Sequence, residues 1–109
     1  MKAKKLHEMA ILSLEDMKGQ DIVSMNISKM STIADFMLVV TATSSRHSRS
    51  LAEELVKRCK AEEVKVNMEG QDQAEWILID MGDVIAHVML AATRKLYDLE
   101  SLWKFSPAK

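Results

Sequence analysis

The residues able to do chemistry in this 109-residue chain are few: His7, His47 and His87, the single cysteine Cys59, the carboxylates Asp80 and Asp83, and the hydroxyls of Thr43, Ser44 and Ser45. Asp80 and His87 could form an acid–base pair, since their spacing puts them diagonally across a hairpin. A hydrolase would also need an activated nucleophile, and the sequence holds no GxSxG elbow. Ser44 and Ser45 are better used as caps of the helix that follows them. Asp80 and Asp83 could be a metal-binding pair, but a tight turn would carry Asp83 away from Asp80. There is no HExxH and no phosphate-cradling glycine loop, and the three histidines fall on three different elements. One cysteine excludes an intramolecular disulfide and a cysteine zinc site. The expectation is a protein without a catalytic site, metal or cofactor, acting by contact.

The elements that must position these residues follow from periodicity. Leu6, Ala10, Leu14 and Met17 recur at helical spacing over residues 3–18, with Gly19 as the expected C-cap. From Asp21 to Ser28, Val23, Met25 and Ile27 alternate with Ser24, Asn26 and Ser28, which marks a strand with one wet side. The unbroken run Phe36-Met37-Leu38-Val39-Val40 reads as an interior strand covered on both faces. Leu51, Leu55 and Cys59 form the buried stripe of a second helix, which makes Cys59 a small core hydrophobe. A short strand over residues 65–68 and a polar loop over 70–73 follow.

Residues 75–90 carry most of the information. Two β-rich runs, Trp76–Met81 and Val84–Met89, are separated by Gly82-Asp83 alone, the signature of a two-residue hairpin turn. Such a turn fixes the register. Met81 then faces Val84, Ile79 faces Ala86 and Ile77 faces Val88, a wholly apolar side for the core. The other side pairs Asp80 with Ile85, Leu78 with His87, and Trp76 with Met89. Two arrangements are open for it. A helix could seal it, leaving Trp76 and His87 as interior groups, or it could stay accessible as an apolar patch with a polar edge. In the second case Trp76, Leu78, Asp80, Ile85, His87 and Met89 form a partner-binding site, and tryptophan and methionine are residue types enriched at interfaces. Glu69, Asp72, Glu75, Asp80 and Asp83 lie in a stretch, 66–93, that contains no lysine or arginine. That stretch suits a basic partner.

Bulk composition agrees. The length suits one domain, with 48% apolar and 28% charged residues, too apolar for disorder. Nine methionines fit a plastic core or an adaptable surface. The net charge of −1 disfavours binding through nucleic-acid phosphates. Nothing resembles a secretory signal, and no run reaches the roughly 18 apolar residues of a membrane span. A cytoplasmic protein is expected.

The ordered set Asp21-Ile22-Val23, Ala34-Asp35-Phe36-Met37, Thr43-Ser44-Ser45-Arg46-His47, Glu75-Trp76 through His87-Val88-Met89, and Tyr97-Asp98-Leu99-Glu100-Ser101-Leu102-Trp103 resembles the Iojap/RsfS family of ribosomal silencing factors, over about residues 5–103. The resemblance implies a single α/β (α+β) domain: a mixed sheet of about five strands flanked by helices, of nucleotidyltransferase-like topology but without catalytic carboxylates. It implies a translational silencer that binds the large ribosomal subunit at its basic protein numbered fourteen and blocks subunit joining when nutrients are scarce. It centres the contact on Trp76, with Tyr97 and Trp103 as secondary contacts or as packing for the C-terminal segment. The chain departs from relatives at Ala42, where they usually carry glycine, and at Val66-Asn67-Met68. Two rival readings are a small nucleotidyltransferase and a homodimer that uses the tryptophan face on itself.

Overall fold

The structure is a computed structural model that describes the backbone of residues 1–104 and the side chains of residues 1–101. In chain order it contains α1 (Ala3–Asp16), β1 (Gln20–Asn26), β2 (Phe36–Ala42), α2 (Ser45–Ala61), β3 (Asn67–Glu69), β4 (Trp76–Asp80), β5 (Val84–Leu90), α3 (Ala91–Tyr97) and α4 (Leu99–Lys104). The strands form one sheet in the order β1-β2-β5-β4-β3. β2 and β5 pair in parallel and the other neighbours are antiparallel. This is the mixed five-stranded α+β architecture expected from the sequence.

Hydrophobic patterning decides what the sheet buries. Alternate residues of β2, namely Leu38, Val40 and Ala42, join Ile77, Ile79, Val84, Ala86 and Val88 of the hairpin against Leu6, Ala10 and Leu14 of α1 and Leu51, Leu55 and Cys59 of α2. The six hairpin residues expected on the core side are each at most 3% exposed. Burying one such side chain contributes about 1.5–3 kcal/mol, so this layer anchors the hairpin firmly. Cys59 lies inside it, and burial pushes its thiol up to about 11, far from reactive. Met37 to Val40 are at most 4% exposed, as a strand covered on both faces should be.

Two local expectations change. α1 ends at Asp16 with Met17 as its cap, and the left-handed residue is Lys18 (φ 63°), not Gly19. Gly19 is needed for a different reason. A Cβ there would come within 2.6 Å of Val40 Cγ2 and 3.0 Å of the Leu14 carbonyl oxygen. The short strand lies at Asn67–Glu69, two residues later than expected at its start, where pairing with β4 becomes possible. Ala42 ends β2 in extended backbone and so needs no glycine.

The ends of α2 follow the sequence closely. Ser44 caps it, its hydroxyl accepting from the His47 backbone N–H at 3.0 Å. The His47 ring then joins two elements: Nδ1 accepts from the Thr43 N–H at 2.9 Å, and Nε2 donates to the Met17 carbonyl at 2.9 Å. That arrangement consumes both ring nitrogens in holding the end of α1 to the start of α2.

Candidate docking face

The helices α1 and α2 share one side of the sheet, and the other side carries neither. On that second side Val23 and Met25 of β1 lie beside Val39 and Met37 of β2, which lie beside His87 and Ile85 of β5. Leu78 and Asp80 of β4 follow, and then Glu69 and Asn67 of β3 at the edge. The hairpin register is the one required by a two-residue turn, pairing Trp76 with Met89, Leu78 with His87 and Asp80 with Ile85. Gly82 takes a φ of 87° in the turn, and Met81 N–H donates to the Val84 carbonyl at 2.9 Å.

Both ends of this face are framed. At one end the segment between β1 and β2 folds over, so that Ile27, Ala34 and Met37 form a small cluster with Met25, Met30 and Ile85. At the other end α3 turns back immediately after β5. Tyr97 comes to rest on Trp76, with ring centroids 4.8 Å apart and planes inclined at 47°. Tyr97 keeps 55% of its surface exposed and its neighbour Leu96 76%, so α3 covers that end of the sheet while adding exposed apolar surface of its own.

Of the six residues expected on the face, Trp76, Leu78, Asp80, Ile85 and His87 are half-buried and share it. Met89 does not belong with them. It is fully buried, since it lies at the end of the face over which α3 folds, beside Thr41 of β2. It offers a partner no surface. Tyr97 joins Trp76, whereas the side chain of Trp103 lies outside the described residues.

The acid–base pair does not form either. The Trp76 indole N–H donates to His87 Nδ1 at 2.9 Å. The Asp80 carboxylate instead accepts from the Gly82 N–H at 2.9 Å, which ties it to the turn. Burial lowers the His87 pKa to about 4, so the ring is neutral and carries its proton on Nε2. A neutral imidazole committed as an acceptor, and a carboxylate committed to a turn, make a rigid surface rather than a proton relay. Among the described residues no group of three or more histidine, cysteine, aspartate or glutamate side chains could hold a metal ion, and no helix is long and apolar enough to cross a membrane.

Sequence reasoning missed one residue that organises the site. Arg94 of α3 donates to the Asp21 carbonyl at 2.6 Å and to Thr41 Oγ1 at 2.8 Å. It also forms a two-pronged pair with Glu100 of α4 at 3.1 and 2.9 Å. One guanidinium thus fastens α3 and α4 across β1 and β2, which places Tyr97 against Trp76. Its fork geometry suits that task, but the partners lie up to 73 positions away and leave no local signal.

Comparison with known proteins agrees with this architecture. The family model described as "Ribosomal silencing factor during starvation" matches residues 1–109. The ribosomal silencing factor RsfS of Chromobacterium violaceum is 40% identical over 104 residues, covering 94% of this chain and 85% of that protein. The RsfS of Bacillus subtilis is 32% identical over 108 residues, covering 98% and 92%. A mouse protein named "Mitochondrial assembly of ribosomal large subunit protein 1" is 30% identical over 101 residues, covering 88% of this chain and 44% of that protein. A crystal structure of a Chromobacterium violaceum protein superposes with a TM-score of 0.93 at 38% identity, covering 97% of this chain and 89% of that one. With this extent of match in sequence and fold, the chain belongs to the RsfS family of ribosomal silencing factors.

Proposed function

We propose that this chain represses translation by seating the sheet face opposite α1 and α2 on the large ribosomal subunit, at the basic protein numbered fourteen, so that its bulk obstructs the small subunit. The observation that carries this reading is the placement of Trp76, Leu78, Ile85 and His87 on a preorganised face that α1 and α2 leave uncovered. Such a surface combines an aromatic anchor, an aliphatic surround and carboxylates at the margin, which is how a protein-docking patch is built. Silencing of this kind forms and breaks no bond. Nutrient limitation is the condition under which this blockade conserves energy. Family membership and the mouse relative's name point toward the same large-subunit target. In this reading the chain works in the cytoplasm and attaches through protein, since its net charge of −1 offers little to phosphates.

The test is subunit joining followed by light scattering, with purified small and large subunits and the protein added to the large subunit first. Joining should fall in proportion to occupancy. Trp76→Ala should relieve the block by weakening binding by about 2 kcal/mol or more, as removal of an aromatic anchor does. Its melting temperature must be measured alongside, because the indole also meets Tyr97 and His87. Undiminished joining at saturating protein would refute the blockade.

A further inference from the structure

A depression of about 240 Å³ opens beside the docking face, lined among others by Trp76 and Tyr97, by Asp72 and Glu75, and by Gly70 and Thr93. Its lining combines aromatic and acidic residues. The loop that forms the rim is held in place by its backbone. Arg49 of α2 donates to the carbonyls of Gln71 at 2.9 Å and Asp72 at 2.6 Å. Ala74 N–H donates to the Gly70 carbonyl at 2.9 Å, and Leu90 N–H to that of Glu75 at 3.0 Å. Gly70 sits so close to β4 that a Cβ there would lie 2.2 Å from the Trp76 carbonyl oxygen. Ala74 is fully buried at a φ of 59°, a conformation kept only where the surroundings impose it. These contacts use main-chain groups. Among the described residues, the carboxylates of Asp72 and Glu75 enter no ion pair.

Among the described residues, the cations nearby are already engaged or lie elsewhere. Arg49 is bound to the loop carbonyls, and Arg94 of α3 is paired with Glu100. No lysine or arginine occurs between residues 66 and 93, and Lys95 belongs to α3 rather than to the lining of the hollow. Two aromatic rings and two unpaired carboxylates around one preformed hollow complement a planar cation. A guanidinium can stack on an indole or phenol face while its N–H groups meet carboxylates, which a compact ammonium does less well.

We propose that the hollow between Trp76, Tyr97, Asp72 and Glu75 is an arginine pocket that receives one guanidinium side chain from the protein on which this chain docks. The pocket supplies orientation, because a single seated side chain fixes the rotation of the whole sheet face on its partner. This rests on the docking reading above for its partner but not for its chemistry.

The experiment therefore has two arms. In the first, the indole N–H resonance of Trp76, identified with a Trp103→Phe variant, is followed while N-acetyl-arginine methylamide is added, with the citrulline and lysine counterparts as controls. The arginine compound should shift the resonance, the lysine compound should shift it less, the neutral citrulline compound should not, and Asp72→Asn/Glu75→Gln should abolish the response. In the second, the same double variant should bind purified large subunits about tenfold more weakly than the unaltered chain, at an unchanged melting temperature. An equal response to citrulline, or no response to arginine, overturns the pocket. So does a double variant that binds subunits normally, or one whose only defect is loss of self-association, which would make a second copy the occupant. A resonance that responds to arginine in a protein that does not bind large subunits leaves the pocket standing and removes the ribosomal reading instead.

Discussion

The indole of Trp76 and the imidazole of His87 define one another. The ring accepts one hydrogen bond at Nδ1, and burial keeps it neutral with a pKa of about 4 against an ordinary 6.5. Between those two values the unfolded chain binds a proton that the folded chain refuses. Stability is therefore fully present above pH 6.5, falls as the pH drops toward 4, and levels off below that. The loss is at most about 3 kcal/mol. Burial also lowers the pKa of His7, and so adds with the same sign. Urea unfolding at about pH 7 and about pH 4.5, values on either side of the ordinary histidine range, should show a smaller decline in His87→Gln, whose amide oxygen can still accept from the indole. An equal decline in both proteins would remove His87 as the source. This hydrogen bond was only half legible in the sequence. Register placed both Trp76 and Asp80 diagonally to His87, but the right-handed strand twist draws one diagonal together and parts the other. The alternation of residues carries no record of that choice.

Glycine substitutions separate two physical causes at the same scale. Gly82 needs its positive φ, but a methyl group added there would meet nothing within 4 Å, so Gly82→Ala should cost about 1 kcal/mol from backbone conformation alone. Gly70 combines a φ of +91° with a backbone oxygen 2.2 Å from the added carbon, and Gly70→Ala should cost about 3 kcal/mol or more. Denaturant midpoints that rank the two the other way would contradict the close approach of the loop to β4.

At the scale of elements, the hairpin was readable because a two-residue turn leaves one register and because one of its faces is purely apolar. The helix α2 was readable because its cap and its buried stripe are both local. The short arm formed by α3 and α4 was not. α3 has no buried residue and ends at Asp98 in left-handed backbone, so little in its own pattern shows where it rests. Its position is set by Arg94, whose side chain is 12% exposed and reaches three other elements. This is why Met89, alternating correctly with the half-buried hairpin residues, is nonetheless covered. Arg94→Met should destabilise the fold by about 2 kcal/mol, because Glu100, Thr41 and a backbone carbonyl all lose a charged donor. It should also speed hydrogen exchange in α3. Arg58, whose pairs with Asp16 and Glu54 lie at the surface, should show little measurable effect on equal treatment. Equal effects at the two arginines would mean that the arm is not held by this clamp.

For the whole molecule, the division of the sheet into a side covered by α1 and α2 and a side they leave uncovered frames the docking proposal. One side spends its apolar residues on the core. The other combines buried Met37, Val39 and Met89 with a half-buried mixture on the hairpin, framed by the segment between β1 and β2 and by α3, with tryptophan and tyrosine at one end. Family resemblance supplied the role of silencer, whereas the residue pattern alone left open whether the second hairpin face was sealed. Among the described residues α1 and α2 both pack on the side of Ile77, Ile79 and Val88, while Trp76, Leu78, Asp80, Ile85 and His87 on the other side stay half-buried.

The most direct test places a charge on each side of the sheet and asks which one matters to the ribosome. Ile85→Glu puts a carboxylate within the proposed contact, while Leu12→Glu puts one at a position on α1 that is already 56% exposed. Each variant, with its fold verified by circular dichroism and melting, is sedimented with purified large subunits through sucrose. Leu12→Glu is expected to travel with the subunits like the unaltered protein, and Ile85→Glu to remain at the top of the gradient. A folded Ile85→Glu that co-sediments normally, or a Leu12→Glu that fails to, would contradict the face opposite α1 and α2 as the surface that meets the ribosome.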